Sequence, residues 1–174
     1  MTIIIILTGA PGVGKSTAVL RTARVLKDRG LKVGGIVSRE QRTNNIRIGF
    51  EFIDLMTNDT SVLASITGNG PKLGKYFINL AGCRFAAERL IVAVKNCDVI
   101  ICDEIGPMEL KSREFMDSVK KLLDVGKKVI VVVHQKIHDP LIEQFKKKSS
   151  LIIDLNLGNR ENVYQILVNR LLVE

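Results

Sequence analysis

The stretch Gly9-Ala10-Pro11-Gly12-Val13-Gly14-Lys15-Ser16 has the spacing G-x-x-x-x-G-K-[ST], and the chemistry open to it is holding a polyphosphate. Gly9 lets the chain turn sharply, while Gly12 and Gly14 lack Cβ, so their N–H groups can reach positive φ and approach phosphate oxygens. Pro11 stiffens the loop between them. The Lys15 ammonium would reach the β- and γ-phosphates as a point charge. The Ser16 hydroxyl would complete an oxygen shell around Mg2+. A helix opening near Lys15 adds the positive end of its dipole.

A second constellation is Val99-Ile100-Ile101-Cys102-Asp103-Glu104, an apolar run ending in two acids. A carboxylate at such a strand tip, beside a phosphate loop, can hold Mg2+ directly or through water, and Asp103 is assigned that role. Glu104 is the residue to orient or deprotonate an attacking water. Transfer to a bound acceptor needs a site that excludes water. A free carboxylate next to the metal acid favours hydrolysis instead. Candidates to meet charge on the γ-phosphate are Arg42, Arg47, Lys75 and Arg113. His134 ends another apolar run on the same rim. Asn159-Arg160 follows the last strand, where the Arg160 guanidinium can stack on a base. A guanine-reading N-K-x-D motif is absent, so discrimination among bases should be modest.

These residues need elements to position them. Ile3–Leu7 before the loop reads as a buried strand, and a helix follows from about Ser16 to Arg29, with Gly30 as its stop. Leu31–Ser38 reads as a second strand. Ile46–Ile53 alternates apolar and polar residues, the period of a half-exposed strand, and Asn44-Asn45 reads as a hairpin turn before it. Together with a strand at 61–66, this makes an antiparallel β-hairpin insertion over about 39–66. Residues 68–74 read as a loop and 76–80 as a short strand. The remaining elements are a helix at 83–95, a strand at 98–102, a helix at 109–125, a strand at 128–133, a helix at 140–148, a strand at 151–155 and a helix at 159–173. Strands alternating with helices predict one three-layer α/β domain over 1–174 with a mainly parallel sheet.

Composition narrows the class. The chain has 174 residues, 46% hydrophobic and 25% charged, an ordinary globular mix. No apolar run approaches the length needed to span a bilayer, so no membrane partner is expected. The short N-terminal apolar run has no basic lead, which argues against a signal peptide and sets the cytoplasm as the expected compartment. Cys83, Cys97 and Cys102 fit no zinc spacing with His134 and His138 and read as reduced, buried residues. A net charge of +8 suits anionic ligands, but the basic residues are dispersed and no RNA-binding aromatic motif accompanies them.

The chain resembles the thermophile nucleoside-triphosphatases, whose animal relative is the cancer-related nucleoside-triphosphatase. The resemblance rests on Gly9–Thr17, on Glu40-Gln41-Arg42 with Arg47-Ile48-Gly49-Phe50, on Leu73-Gly74-Lys75-Tyr76, on Asp103-Glu104-Ile105-Gly106-Pro107-Met108-Glu109-Leu110, and on Asn159-Arg160. It implies a P-loop NTPase fold of the RecA-like branch. It also implies Mg2+-dependent hydrolysis of several nucleoside triphosphates (ATP, GTP, CTP, UTP and TTP) to diphosphate and phosphate. It places Gly9 to Thr17 around the nucleotide. Arg113 lies outside the family pattern, which favours Arg42 or Arg47 as the catalytic cation. A monomer is expected. Two other functions remain open: a small-molecule or nucleoside kinase, for which no compact arginine-rich lid is present, and a nucleotide-dependent nucleic-acid-binding module, which the +8 charge alone supports.

Overall fold

The computed structural model describes residues 1–173. The chain runs β1 (Ile3–Gly9), α1 (Lys15–Asp28), β2 (Val33–Thr43), β3 (Ile46–Asp54), β4 (Thr60–Ser65), β5 (Lys72–Leu73), β6 (Tyr76–Ile78), α2 (Leu80–Asn96), β7 (Val99–Ile105), α3 (Arg113–Lys120), β8 (Lys128–Val133), α4 (Pro140–Lys148), β9 (Leu151–Leu155) and α5 (Val163–Leu172). Among the described residues nine strands join one sheet in the order β5-β6-β4-β3-β2-β7-β8-β1-β9. From β2 to β9 across the sheet the neighbours are parallel; from β2 outward to β5 they are antiparallel.

The unbroken apolar runs follow from burial on both faces. Along β1, Ile4 and Ile6 enter one core while Ile5 and Leu7 enter the other. β7 and β8 divide in the same way: Ile100, Cys102, Val129 and Val131 lie on the first side, and Val99, Ile101, Ile130 and Val132 on the second. Helices α2, α3 and α4 cover the first face, where the Phe52 and Phe115 rings stack with centroids 5.7 Å apart. Helices α1 and α5 cover the second. The three layers agree with the expectation from sequence.

β2 belongs to two neighbourhoods. Val33–Val37 pairs in parallel with Val99–Asp103 and is buried, and the same strand then continues to Thr43 against β3. The hairpin turns at Asn44 and Asn45, both at positive φ. The predicted insertion is thus an outgrowth of a core strand, not a separate unit. Local boundaries also differ from those read in the sequence. Lys72–Leu73 forms a short edge strand inside the predicted loop. The helix expected over 109–125 is broken into a 3-10 turn (Glu109–Lys111), α3, and a second 3-10 turn (Lys121–Asp124), because Ser112 leaves the helix and caps α3 through Phe115 N. The last helix starts at Val163 because the side chains of Asn156 and Asn159 hold a tight turn ahead of it.

Candidate active site

The loop joining β1 to α1 adopts the backbone its glycines permit. Gly9, Gly12 and Gly14 have φ of +147°, +75° and +110°. A Cβ on Gly9 would lie 2.5 Å from the Leu155 carbonyl oxygen, so β9 leaves room for nothing larger. At Gly12 and Gly14 a Cβ would meet nothing within 4 Å; that space is open to a ligand. Ala10 and Pro11 are exposed at the bend, and Val13 anchors the loop in the core beside Leu7. Gly14 stands at the N-terminus of α1, and its carbonyl accepts from Ala18 N at 3.0 Å. Lys15 is only 7% exposed. Its Nζ donates to the Gly9 and Ala10 carbonyls at 3.0 and 3.1 Å and stands 3.9 Å from the Glu104 carboxylate. Ser16 is half-buried and Thr17 exposed.

β7 delivers the two acids to the same place. Asp103 pairs with Val132 and Ile105 with Val133, so Glu104 is the extra residue of a β-bulge. A bulge re-aims a side chain, and here it brings Glu104 to Lys15 although its neighbour Asp103 also faces the site. Asp103 is fully buried and neither carboxylate oxygen has a hydrogen-bond partner. Burial pushes its pKa up to about 7; Ser16, outside full hydrogen-bonding geometry, and Lys15 pull it down, while Glu104 adds to the rise. Burial also raises Glu104, against the pull of Lys15 and His134.

The structure adds a third acid. Glu109 is buried, and its Oε2 accepts from Gly106 N at 3.0 Å. Burial raises its pKa to about 8, and the negative charges of Glu104 and Asp103 contribute. A Cβ on Gly106 would lie 2.9 Å from Glu109 Oε2 and 3.1 Å from Glu104 Oε1, so the 105–109 turn is wedged between two carboxyls. Sequence reasoning placed Glu109 at the start of the 109–125 helix and gave it no role of its own. The available signal was Gly106-Pro107 three residues ahead, a turn that a carboxylate can close.

The cations are distributed unevenly. Arg160 lines a cleft together with Gly12, Gly14 and Thr17, directly beside the phosphate loop. Arg42 and Arg47 sit on the hairpin and are both paired with Glu40 at 2.7 Å. Arg47 also donates to the Tyr76 hydroxyl at 3.0 Å. Arg42 stands roughly 17 Å of strand beyond Val37, the register partner of Asp103, so the structure does not bring either arginine to Lys15. Lys75 lies beside Arg47 and Tyr76. Arg113 is 95% exposed and pairs with Asp117. The three cysteines are free and buried.

A family model described as NTPase matches residues 4–168. The nucleoside-triphosphatase THEP1 of Methanosarcina acetivorans is 39% identical over 169 residues, covering 97% of this chain and 96% of that one. The THEP1 protein of Methanopyrus kandleri is 38% identical, covering 91% and 89%. Among solved structures, THEP1 from the hyperthermophile Aquifex aeolicus superposes with a TM-score of 0.79 at 29% identity over 99% of both chains. The human cancer-related nucleoside triphosphatase gives 0.82 at 26% identity over 98% and 97%. A phosphate loop on β1, two acids at the tip of β7 and relatives matched end to end lead to one assignment: the chain belongs to the nucleoside-triphosphatase family of P-loop hydrolases.

Proposed function

We infer that this nucleoside-triphosphatase acts on several nucleoside triphosphates, releasing diphosphate and phosphate, and that it does so with Mg2+. The observation that carries the inference is Asp103: a wholly buried carboxylate with two unpartnered oxygens, beside the Ser16 hydroxyl of the phosphate loop. Leaving a buried charge unpaired is costly, and a bound divalent cation removes the cost. A carboxylate and a hydroxyl are the hard oxygen donors that Mg2+ takes, with water and phosphate oxygens filling the remaining positions. Asp103 and Ser16 would hold the ion. When bound, it would neutralise charge on the β- and γ-phosphate oxygens.

The protein's own groups do the rest. The N–H groups of the 9–16 loop and the dipole of α1 bind the phosphates. Lys15 exchanges its contacts with the Gly9 and Ala10 carbonyls for phosphate oxygens, keeping its charge at the γ-phosphate. Glu104, held up in pKa by burial but close to Lys15, orients the attacking water and accepts its proton. Arg42 and Arg47 stand on the hairpin away from Lys15, so either would meet charge on the γ-phosphate only once the hairpin moves toward the loop. Their ion pairs with Glu40 are exposed, and such pairs are worth no more than about 1 kcal/mol, so release from Glu40 costs little. The test is phosphate release from ATP, GTP, CTP, UTP and TTP, with and without Mg2+ and with no added acceptor. Release from several of them with Mg2+ alone is the expected result. Hydrolysis at full rate in chelator, or release confined to one base, would contradict it.

A further inference from the structure

In the sheet order β7-β8-β1 the middle strand separates the one that carries Glu104 from the one that leads into the phosphate loop. His134, the first residue past β8, therefore stands between the two strands that bring Glu104 and Lys15 together. Its N–H donates to the Ile105 carbonyl at 3.0 Å, so the ladder holds His134 next to the bulge that re-aims Glu104. Along β8, Ile130 and Val132 enter the core on the side of α1, and His134 continues their alternation. The residue is half-buried. Burial raises the Glu104 carboxyl, and Lys15 and then His134 act against that rise, which puts the imidazole within electrostatic reach of the carboxylate.

The backbone also selects the tautomer of the ring. Nδ1 accepts from the Lys136 N–H at 3.3 Å, inside a turn that Ile137 N closes on the His134 carbonyl, also at 3.3 Å. A ring nitrogen that accepts carries no proton, so in the neutral imidazole the proton sits on Nε2. The turn thus keeps His134 a donor at Nε2 without requiring a positive charge.

We propose that His134 is a positioning residue for Glu104: its Nε2–H holds the carboxylate towards the attacking water once Lys15 has turned to the phosphates. The proposal rests on the reading of Glu104 as the base and adds what orients that base. Before nucleotide binds, Lys15 stands 3.9 Å from Glu104. When Lys15 engages the phosphates, a glutamate left free to rotate would point at the water only part of the time. A third group that orients the base removes that loss. A neutral donor suits the task better than a second cation, because it depresses the basicity of the carboxylate less.

Phosphate release from ATP with Mg2+, together with ADP affinity by titration calorimetry, tests this. His134→Asn keeps an oxygen that can accept from Lys136 N but loses the donor at the reach of Nε2. It should lower kcat about 10- to 100-fold, the effect of one hydrogen bond to a charged group, with ADP affinity within about twofold of wild type. His134→Gln, whose amide NH2 reaches the place of Nε2, should recover most of the lost rate. In a Glu104→Gln background, His134→Asn should bring no further loss, because the group it orients is gone. Full activity in His134→Asn overturns the proposal, and so does a loss that His134→Gln fails to restore. A further loss of comparable size on top of Glu104→Gln also overturns it, and would place His134 on the γ-phosphate instead. Undiminished turnover in Glu104→Gln alone would refute the reading of Glu104 itself, and the proposal with it.

Discussion

The Lys15 ammonium and the Glu104 carboxylate stand 3.9 Å apart, although one opens helix α1 and the other lies on strand β7, in different sequence motifs. The first residue of α1, just after the phosphate loop, is the one, and the bulge in β7 supplies the other. In the absence of substrate each partly satisfies the other's charge. In the proposed mechanism a γ-phosphate entering between them would take over Lys15 and leave Glu104 free to accept a proton.

Glu104→Gln should therefore lower kcat about 100-fold or more while nucleotide affinity stays within a few-fold of wild type. Single-turnover phosphate release alongside nucleotide binding separates the two effects. Undiminished turnover would remove Glu104 from the mechanism.

Asp103→Asn tests the buried acid through stability. The unfolded carboxyl ionises near its usual 3.8, while the folded one holds its proton up to about 7. Metal-free stability is therefore lost as pH rises through that window. At pH 8 the asparagine variant, with no charge to bury, should melt above the metal-free wild type, by about 2–4 °C for each kcal/mol regained. Added Mg2+ should raise the wild-type Tm and leave the variant's unmoved. Thermal melts with Mg2+ and with chelator read both effects, and equal Mg2+ stabilisation of the two proteins would exclude Asp103 as the ligand.

Glu109→Gln should flatten the dependence of stability on pH. Glu109 ionises near 4.5 in the unfolded chain and near 8 in the fold, so this group removes stability as pH rises across that interval, by at most about 1.4 kcal/mol per unit. A glutamine oxygen can still accept from Gly106 N. Urea titrations from pH 5 to pH 8 should show the variant gaining on the wild type as pH rises. Parallel curves would mean that Glu109 is ionised throughout.

Gly9→Ala and Gly12→Ala should fail in different ways. At Gly9 the new methyl collides with the Leu155 carbonyl, so the change should unfold or strongly destabilise the protein. At Gly12 the methyl meets no protein atom, and the main cost to the fold is positive-φ strain of about 1 kcal/mol. Its larger effect should fall on phosphate affinity. Urea midpoints compared with pyrophosphate binding distinguish the two, and equal destabilisation would show that the space at Gly12 does not matter to the ligand.

Much of this was legible in the sequence because the informative signals are local. The phosphate loop sits between a run of isoleucines and a helix, and the acids close an apolar run, so order along the chain alone places both on one rim. The hairpin was legible through Asn44-Asn45, whose side chains tolerate the positive φ the turn needs. What was hidden depends on register and on packing at a distance. The bulge at Glu104 exists only relative to Val132 and Val133 on β8. The burial of Glu109 depends on the turn folding back against Gly106, and the pairing of Arg42 and Arg47 with Glu40 depends on strand alignment across the hairpin. The stacking of the Arg21 guanidinium on the Tyr164 ring joins residues 143 positions apart, which no local pattern encodes.

β2 is paired on both edges at its root and on one edge only, to β3, along its outer half. Mechanically it is a cantilever. Its root is hydrogen-bonded to the strand that carries Asp103, and its outer end, past a register shift against β3 between Gln41 and Arg42, holds Arg42. A load on the hairpin tip, whether a substrate phosphate drawing in an arginine or another molecule pressing on it, passes along one continuous backbone to the root at Val37 and Asp103. The arm that reaches outward and the root paired to the strand of Asp103 are thereby parts of a single beam.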